Sequence, residues 1–165
     1  MATSTEISPG EEQARRLKTV YEQLATLLRR PDLAGHLRTE VGENEWSAMQ
    51  VVGHLVEMIP YWLHHCRVII AAGGAPPAFG RGLDAPERLA GVERGARGEL
   101  NDLLAVLGEE VEAAVRAIGS MSTMERAKKG MHVRHGEMTV ADILERFIVA
   151  HAEDHLKQAQ AALRS

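Results

Sequence analysis

Apolar residues recur at helical spacing in four long segments of this chain, and each segment opens with a start signal. Ser8-Pro9-Gly10-Glu11 combines a capping box with proline at the first helical position, predicting a first helix over residues 9 to 30 that stops before Pro31. Trp46-Ser47-Ala48-Met49-Gln50-Val51 starts the second: Ser47 caps, Gln50 reaches back, and Trp46 staples onto Val51. Its stripe runs through Val51, Leu55, Met58, Ile59, Trp62, Cys66, Ile69 and Ile70, with a bend expected at Pro60, and ends at Gly73-Gly74.

Asp84-Ala85-Pro86-Glu87 opens a third helix, read as continuous from Leu89 to Ile118 and weakened early by Gly91, Gly95 and Gly98. Residues 120 to 138 read as a surface loop with a short helix capped by Ser122 and Glu125. Thr139, with Asp142 three residues on, caps the last helix, whose stripe is Val140, Ile143, Leu144, Phe147, Ile148, His151, His155 and Ala159. No internal repeat or second domain interrupts residues 1–165, so the expectation is one all-α, four-helix bundle domain.

Two of these stripes carry histidine, and that changes the picture. His54 lies in the second helix, while His151 and His155 stand one turn apart in the last. Imidazoles at i and i+4 project from one helix face about 6 Å apart, close enough to share a metal ion with a third ligand from a neighbouring helix. Adjacent apolar-face imidazoles would otherwise leave ring nitrogens unpaired, at a cost of roughly 1 to 3 kcal/mol each.

The three residues meet only if they stand at one height. His54 lies near the start of its helix and His155 near the end of its own, so the second and fourth helices must run antiparallel. A plain up-down-up-down order makes them parallel; a long crossover after the second helix, through residues 73 to 85, makes them antiparallel.

Other metal schemes fit less well. No Glu is followed three residues later by His, as a ferritin-like dinuclear centre requires. Glu153 comes two residues after His151, about 200° round the helix, so no zincin-type base is present. Asp154 and Glu57 stand three residues after His151 and His54 and are the candidate bases or ring-orienting carboxylates; for each the plainer reading is a solvated charge. His64 and His65 lie too far along the helix and read as surface residues, His132 and His135 as part of the polar loop, and His36 as part of the connection before the second helix.

Composition narrows the function. Hydrophobic residues make up 45% but aromatics only 4%, and the net charge is -4 with no gathered basic face, which argues against nucleic acid. The start of the chain shows no leader pattern and no apolar run spans a membrane, so a cytoplasmic protein is expected. The single cysteine, Cys66, fits a reducing compartment and lies about 18 Å along the helix from His54, too far to ligate the same ion; it reads as a buried small hydrophobe.

Trp46-Ser47 opening a helix that carries His54, followed late in the chain by His151-Ala-Glu-Asp-His155-Leu-Lys-Gln158, resembles the DinB/YfiT-like superfamily across nearly the whole length. The resemblance implies an up-down-down-up four-helix bundle and one divalent metal held by His54, His151 and His155. It also implies hydrolase chemistry, or transferase or isomerase chemistry with a low-molecular-weight thiol, on a small-molecule substrate.

Three neutral imidazoles leave an open coordination position, suited to activating water or thiol against a small electrophile, with Val51 and Met58 expected in the pocket wall. Zn, Ni and Fe all accept imidazole. The rival reading from another class is a non-enzymatic bundle that binds metal or a protein partner, or pairs as a homodimer through an exposed helix face; a third is a metal-free core in which the histidines hydrogen-bond one another.

Overall fold

The computed structural model describes residues 5–164. The opening residues Met1 to Ser4, part of the stretch read as lacking a leader, lie outside the described residues, as does Ser165. Helix α1 spans Pro9–Leu28, where the Ser8 hydroxyl accepts from the Glu11 backbone N–H at 3.1 Å and the Glu11 carboxylate accepts from the Ser8 N–H at 2.8 Å. Helix α2 spans Ala48–Ala71, capped in the same reciprocal way by Ser47 and Gln50, and continues through Pro60.

The third predicted helix is two helices, α3 (Pro86–Arg97) and α4 (Leu100–Ser120). Gly98 closes α3 in extended backbone, its N–H donating to the Arg94 carbonyl at 2.8 Å, and the Glu99 carboxylate caps α4 by accepting from the Asp102 N–H at 3.1 Å. A carboxylate at a helix start also meets the positive end of the helix dipole, so the second nucleation is stabilised locally.

Contacts between side chains fix the direction of every helix. Tyr21 donates to the Leu104 carbonyl at 3.0 Å and Gly10 faces the Ile118 carbonyl, so α1 and α4 are antiparallel. After the short helix α5 (Thr123–Arg126), the last rod comprises α6 (Val140–Ile143), a π-helical segment (Leu144–Val149) and α7 (Ala150–Ala162). Gln13 reaches Glu145 and, one turn on, Arg16 reaches Glu153, so α1 and this rod are parallel. His54 meets His151 and, two turns on along α2, Trp62 stacks on Phe147 further back on the last rod, which sets α2 antiparallel to that rod. The order is therefore up, down, down, up, with α1 and α2 each packed against α4 and α7.

Parallel α2 and α4 require the crossover, and it contains α3 as well as the loop expected there. Helix α3 lies against α2 where Gly53 faces Gly91 and Gly95; a β-carbon on Gly53 would come within 2.3 Å of the Gly91 carbonyl oxygen. The glycines that read as weaknesses are the contact that lets two backbones touch.

The 120–138 stretch corrects the loop reading beyond α5. It forms β2 (Lys129–His132) and β3 (Gly136–Thr139), an antiparallel hairpin, while β1 (Ala78–Phe79) adds to β2 in parallel. Lys129 and Met131 face out while Gly130 and His132 face in, a two-residue alternation hidden by the basic character of the run. The bundle is thus all-α in its bulk, with a small sheet laid over one end.

Replacing Gly53 by Ala forces backbone against backbone, and we expect about 1–3 kcal/mol lost in urea unfolding. Gly119, with no atom within 4 Å of an added β-carbon, is the control. Its replacement by Ala should add about 0.5–1 kcal/mol.

Candidate metal centre

The start of α2 carries His54 into the interior at 2% exposure, and α7 brings His151 and His155 to it. His151 Nε2 lies 3.4 Å from His54 Nε2 and 3.0 Å from His155 Nε2, and one ligand atom from each ring falls within 4.8 Å of the other two. Nitrogens bound tetrahedrally at 2.0–2.1 Å stand about 3.3 Å apart, so the spacing suits one small divalent ion.

The π-helical segment sets which way α7 faces. An unbroken α-helical stripe puts His151 and His155 on the core side with Ile148 and Ala159. One residue is absorbed in Leu144–Val149, and the fully buried positions from there on are Ile148, Val149, Ala152 and Ala159. Phe147, His151 and His155 are turned half out, toward α2 and the crossover.

Neighbours fix the rings. His155 Nδ1 donates to Gln158 Oε1 at 2.8 Å, which leaves the His155 Nε2 lone pair for the centre. The Trp46 ring stacks on His155 at 5.6 Å and tilts against His54 at 4.9 Å, covering the site. Behind α7, Arg16 bridges Glu145 at 2.9 Å and Glu153, tying the helix to α1 on the side away from the histidines.

Three neutral rings cannot satisfy one another here. If His151 Nε2–H donates to one neighbour, the other facing Nε2 lone pair has no proton to accept, whereas a cation takes all three at once. His54 Nδ1 is buried without a hydrogen-bond partner. Burial, then the neighbouring imidazoles, drives His54 down to about 2; burial, then His155, drives His151 down to about 4; and burial lowers His155. The rings are held neutral, the form that ligates.

The other sequence-marked residues take varied places. Asp154 faces solvent at 74% exposure, 4.0 Å from Lys157, and reaches the rings only through its charge. Glu57 is half-buried with both oxygens on Arg81, at 2.5 and 2.6 Å. His36 ends an exposed 3-10 turn (Pro31–His36), His64 is exposed, and His65 packs on Tyr61. Cys66 is buried among apolar neighbours, which pushes its thiol up to about 12.

Val51 and Met58 belong to the core rather than to a pocket wall. The wall is built elsewhere: a cavity of about 280 Å³ opens beside His54 and His151, bounded by Trp62 and Phe147, the 81–83 loop, Arg88 and the hairpin. His132 is buried on that wall, not in a mobile loop. Sequence reasoning missed Arg81, Arg88 and Arg134, because crossover and hairpin residues reach the site only through tertiary packing, and it missed Arg146 and the orienting contact of Gln158 on the last rod itself.

The sequence profile of the DinB superfamily matches residues 15–159. The fold is similar to that of YfiT from Bacillus subtilis, described as a probable metal-dependent hydrolase with an unusual four-helix bundle topology. That likeness has a TM-score of 0.76 at 16% identity, over 99% of this chain and 92% of that one. An uncharacterized protein from Clostridium difficile 630 is similar at TM-score 0.69 and 13% identity, over 94% and 96% of the two chains. A mycothiol-dependent maleylpyruvate isomerase, solved as a histidine-to-alanine mutant, is similar at TM-score 0.65 and 13% identity, over 93% of this chain but 63% of that enzyme. These identities speak for the fold. No curated protein matches in sequence.

The depressed histidines make stability depend on pH in a definite direction. Between the ordinary value of 6.5 and about 4, the folded protein leaves His151 neutral while the unfolded chain protonates it, so stability falls as pH falls through this window. Urea unfolding of chelator-treated protein should show a loss approaching about 1.4 kcal/mol per pH unit per ring. His151→Gln should flatten that slope; a parent slope already flat would refute the neutral, buried rings.

Proposed function

Because this chain belongs to the DinB superfamily, we propose that it is a metal-dependent enzyme whose His54, His151 and His155 hold one divalent ion and act on a small electrophile with water or a low-molecular-weight thiol. The observation that carries this reading is the convergence of three neutral ring nitrogens beside a cavity open enough to admit a reactant. A divalent ion held there supplies Lewis acidity, favouring the deprotonated form of water or thiol beside it.

The protein's own residues do the rest. Gln158 selects the His155 tautomer, Trp46 shields the rings from solvent, and Arg16 with Glu145 and Glu153 holds α7 in place. Glu57 serves by clamping Arg81 on the cavity wall, and Asp154 by adding negative charge near the site. Three protein ligands, with no fourth side chain in the cluster among the described residues, favour catalysis over a closed structural site. Zinc, nickel and iron all suit imidazole donors, and the cavity's size fits a small-molecule substrate.

Elemental analysis of protein purified without a histidine tag should find close to one divalent ion per chain, lost in His54→Ala, His151→Ala and His155→Ala. Gln158→Ala should keep the ion but weaken its binding about 10- to 100-fold in a chelator competition. Undiminished metal in the histidine variants refutes the centre.

The chemistry is tested separately, by offering metal-loaded protein small electrophiles with and without bacterial thiols. Thiol consumption that disappears in His151→Ala supports transfer, and thiol-independent turnover supports hydrolysis. Inactivity across that panel with metal bound favours the non-enzymatic reading.

A further inference from the structure

The cavity beside the histidines has a second end whose chemistry the metal reading does not use. Arg81, Arg88, Arg134 and Arg146 all line it, and among the described residues no Asp or Glu does. Of the four, Arg81 alone has an ion-pair partner among the described residues, Glu57. Arg88 is half-buried, its guanidinium 5.1 Å from the Trp46 ring centre and donating to the Leu83 carbonyl at 2.8 Å. Burial, then the charge of Arg81, holds Arg88 below its ordinary value, with Glu57 opposing. Arg146 lies over Phe147, and Arg134 enters from the hairpin turn.

His132 adds a donor of fixed direction. Its Nδ1 accepts from the backbone N–H of Arg134 at 3.0 Å and of His135 at 3.1 Å, so in the neutral ring the proton sits on Nε2. The ring lines the same cavity, wedged against Gly80, where a β-carbon would lie 2.7 Å from Nε2. A wall of four arginines with one ion pair among them, a planar-fork donor set and an N–H of set tautomer are together the recognition chemistry of a carboxylate.

We propose that the reactant bound in this cavity carries a carboxylate, held by Arg88, Arg134 and Arg146 with the His132 Nε2–H, which leaves the rest of the molecule toward His54 and His151. This names the substrate class for the metal-dependent reading and rests on it for the reaction, but binding itself depends only on the arginines.

The test is therefore binding to the full chain, with succinate as probe and the neutral succinamide as control, followed by tryptophan fluorescence, since Trp62 lines the cavity and Trp46 lies under Arg88. Succinate should bind in preference to succinamide, and the exposed-site double variant Arg134→Ala/Arg146→Ala should weaken it about tenfold or more with an unchanged thermal melt. The same preference should persist after chelator treatment, which separates this site from the metal.

Fumarate and 3-mercaptopropionate as competitors distinguish the source: the one that displaces succinate more tightly, in an arginine-dependent manner, tells whether the carboxylate belongs to the electrophile or to the thiol. Equal binding of succinate and succinamide, affinity unchanged in the double variant, or binding abolished by chelator would each overturn the proposal.

Discussion

Three imidazoles can share one point only if they stand at the same level of the bundle, and that requirement orders the rest of the chain. His54 comes in the second turn of α2 and His155 in the penultimate turns of α7, so these helices must run in opposite directions. With α1 parallel to α7 and antiparallel to α4, this leaves α2 and α4 parallel neighbours, and no short turn joins parallel neighbours. The crossover is thus a consequence of the site. It is also the source of the cavity wall, since Arg81, Leu83 and Arg88 all lie on it.

The crossover must be held down without being thick, and glycine does this. Gly53 on α2 and Gly91 and Gly95 on α3 let the two backbones meet directly. The close approach fixes α3 so that Arg88 reaches Trp46, which itself covers His54 and His155. A packing contact at the residue next to His54 thereby sets where the cavity's charge stands. The bidentate Glu57–Arg81 pair ties α2 to the loop before α3, and its two side chains are little exposed, so it is better shielded than the i,i+4 pairs on the outer faces.

Much of this was legible in residue order. The capping boxes at Ser8, Ser47, Ser122 and Thr139 all form, because each depends on two residues three apart and on nothing distant. The antiparallel placement of α2 and α7 follows from counting residues to each histidine. The third segment misled because Leu89 to Ile118 keeps a helical apolar rhythm across Gly98, where the backbone turns extended and a new helix starts. The hairpin was hidden for another reason: Lys128, Lys129 and Arg134 mark a solvated loop by composition, while the alternation that buries His132 spans only four residues. Arginines from crossover and hairpin carry no local signature at all, since their role exists only once the segments are folded together.

The π-helical segment shows how a small departure from regularity serves the site. A strictly α-helical last rod would align His151 and His155 with Val140 and Leu144, which are fully buried in the bundle seam. With one extra residue absorbed before Ala150, the seam is filled by Ile148, Val149, Ala152 and Ala159, which are small or β-branched and pack without polar atoms. The histidines keep enough burial to stay neutral yet face the cavity shared with Arg88 and His132. Wider π turns form weaker hydrogen-bond geometry, and here the cost is offset by Arg16, whose bridge to Glu145 and Glu153 spans the segment from α1. The irregular turn, the ion pairs behind it and the imidazoles beyond it thus act as one unit, in which the phase of the helix decides whether His151 and His155 are core or site.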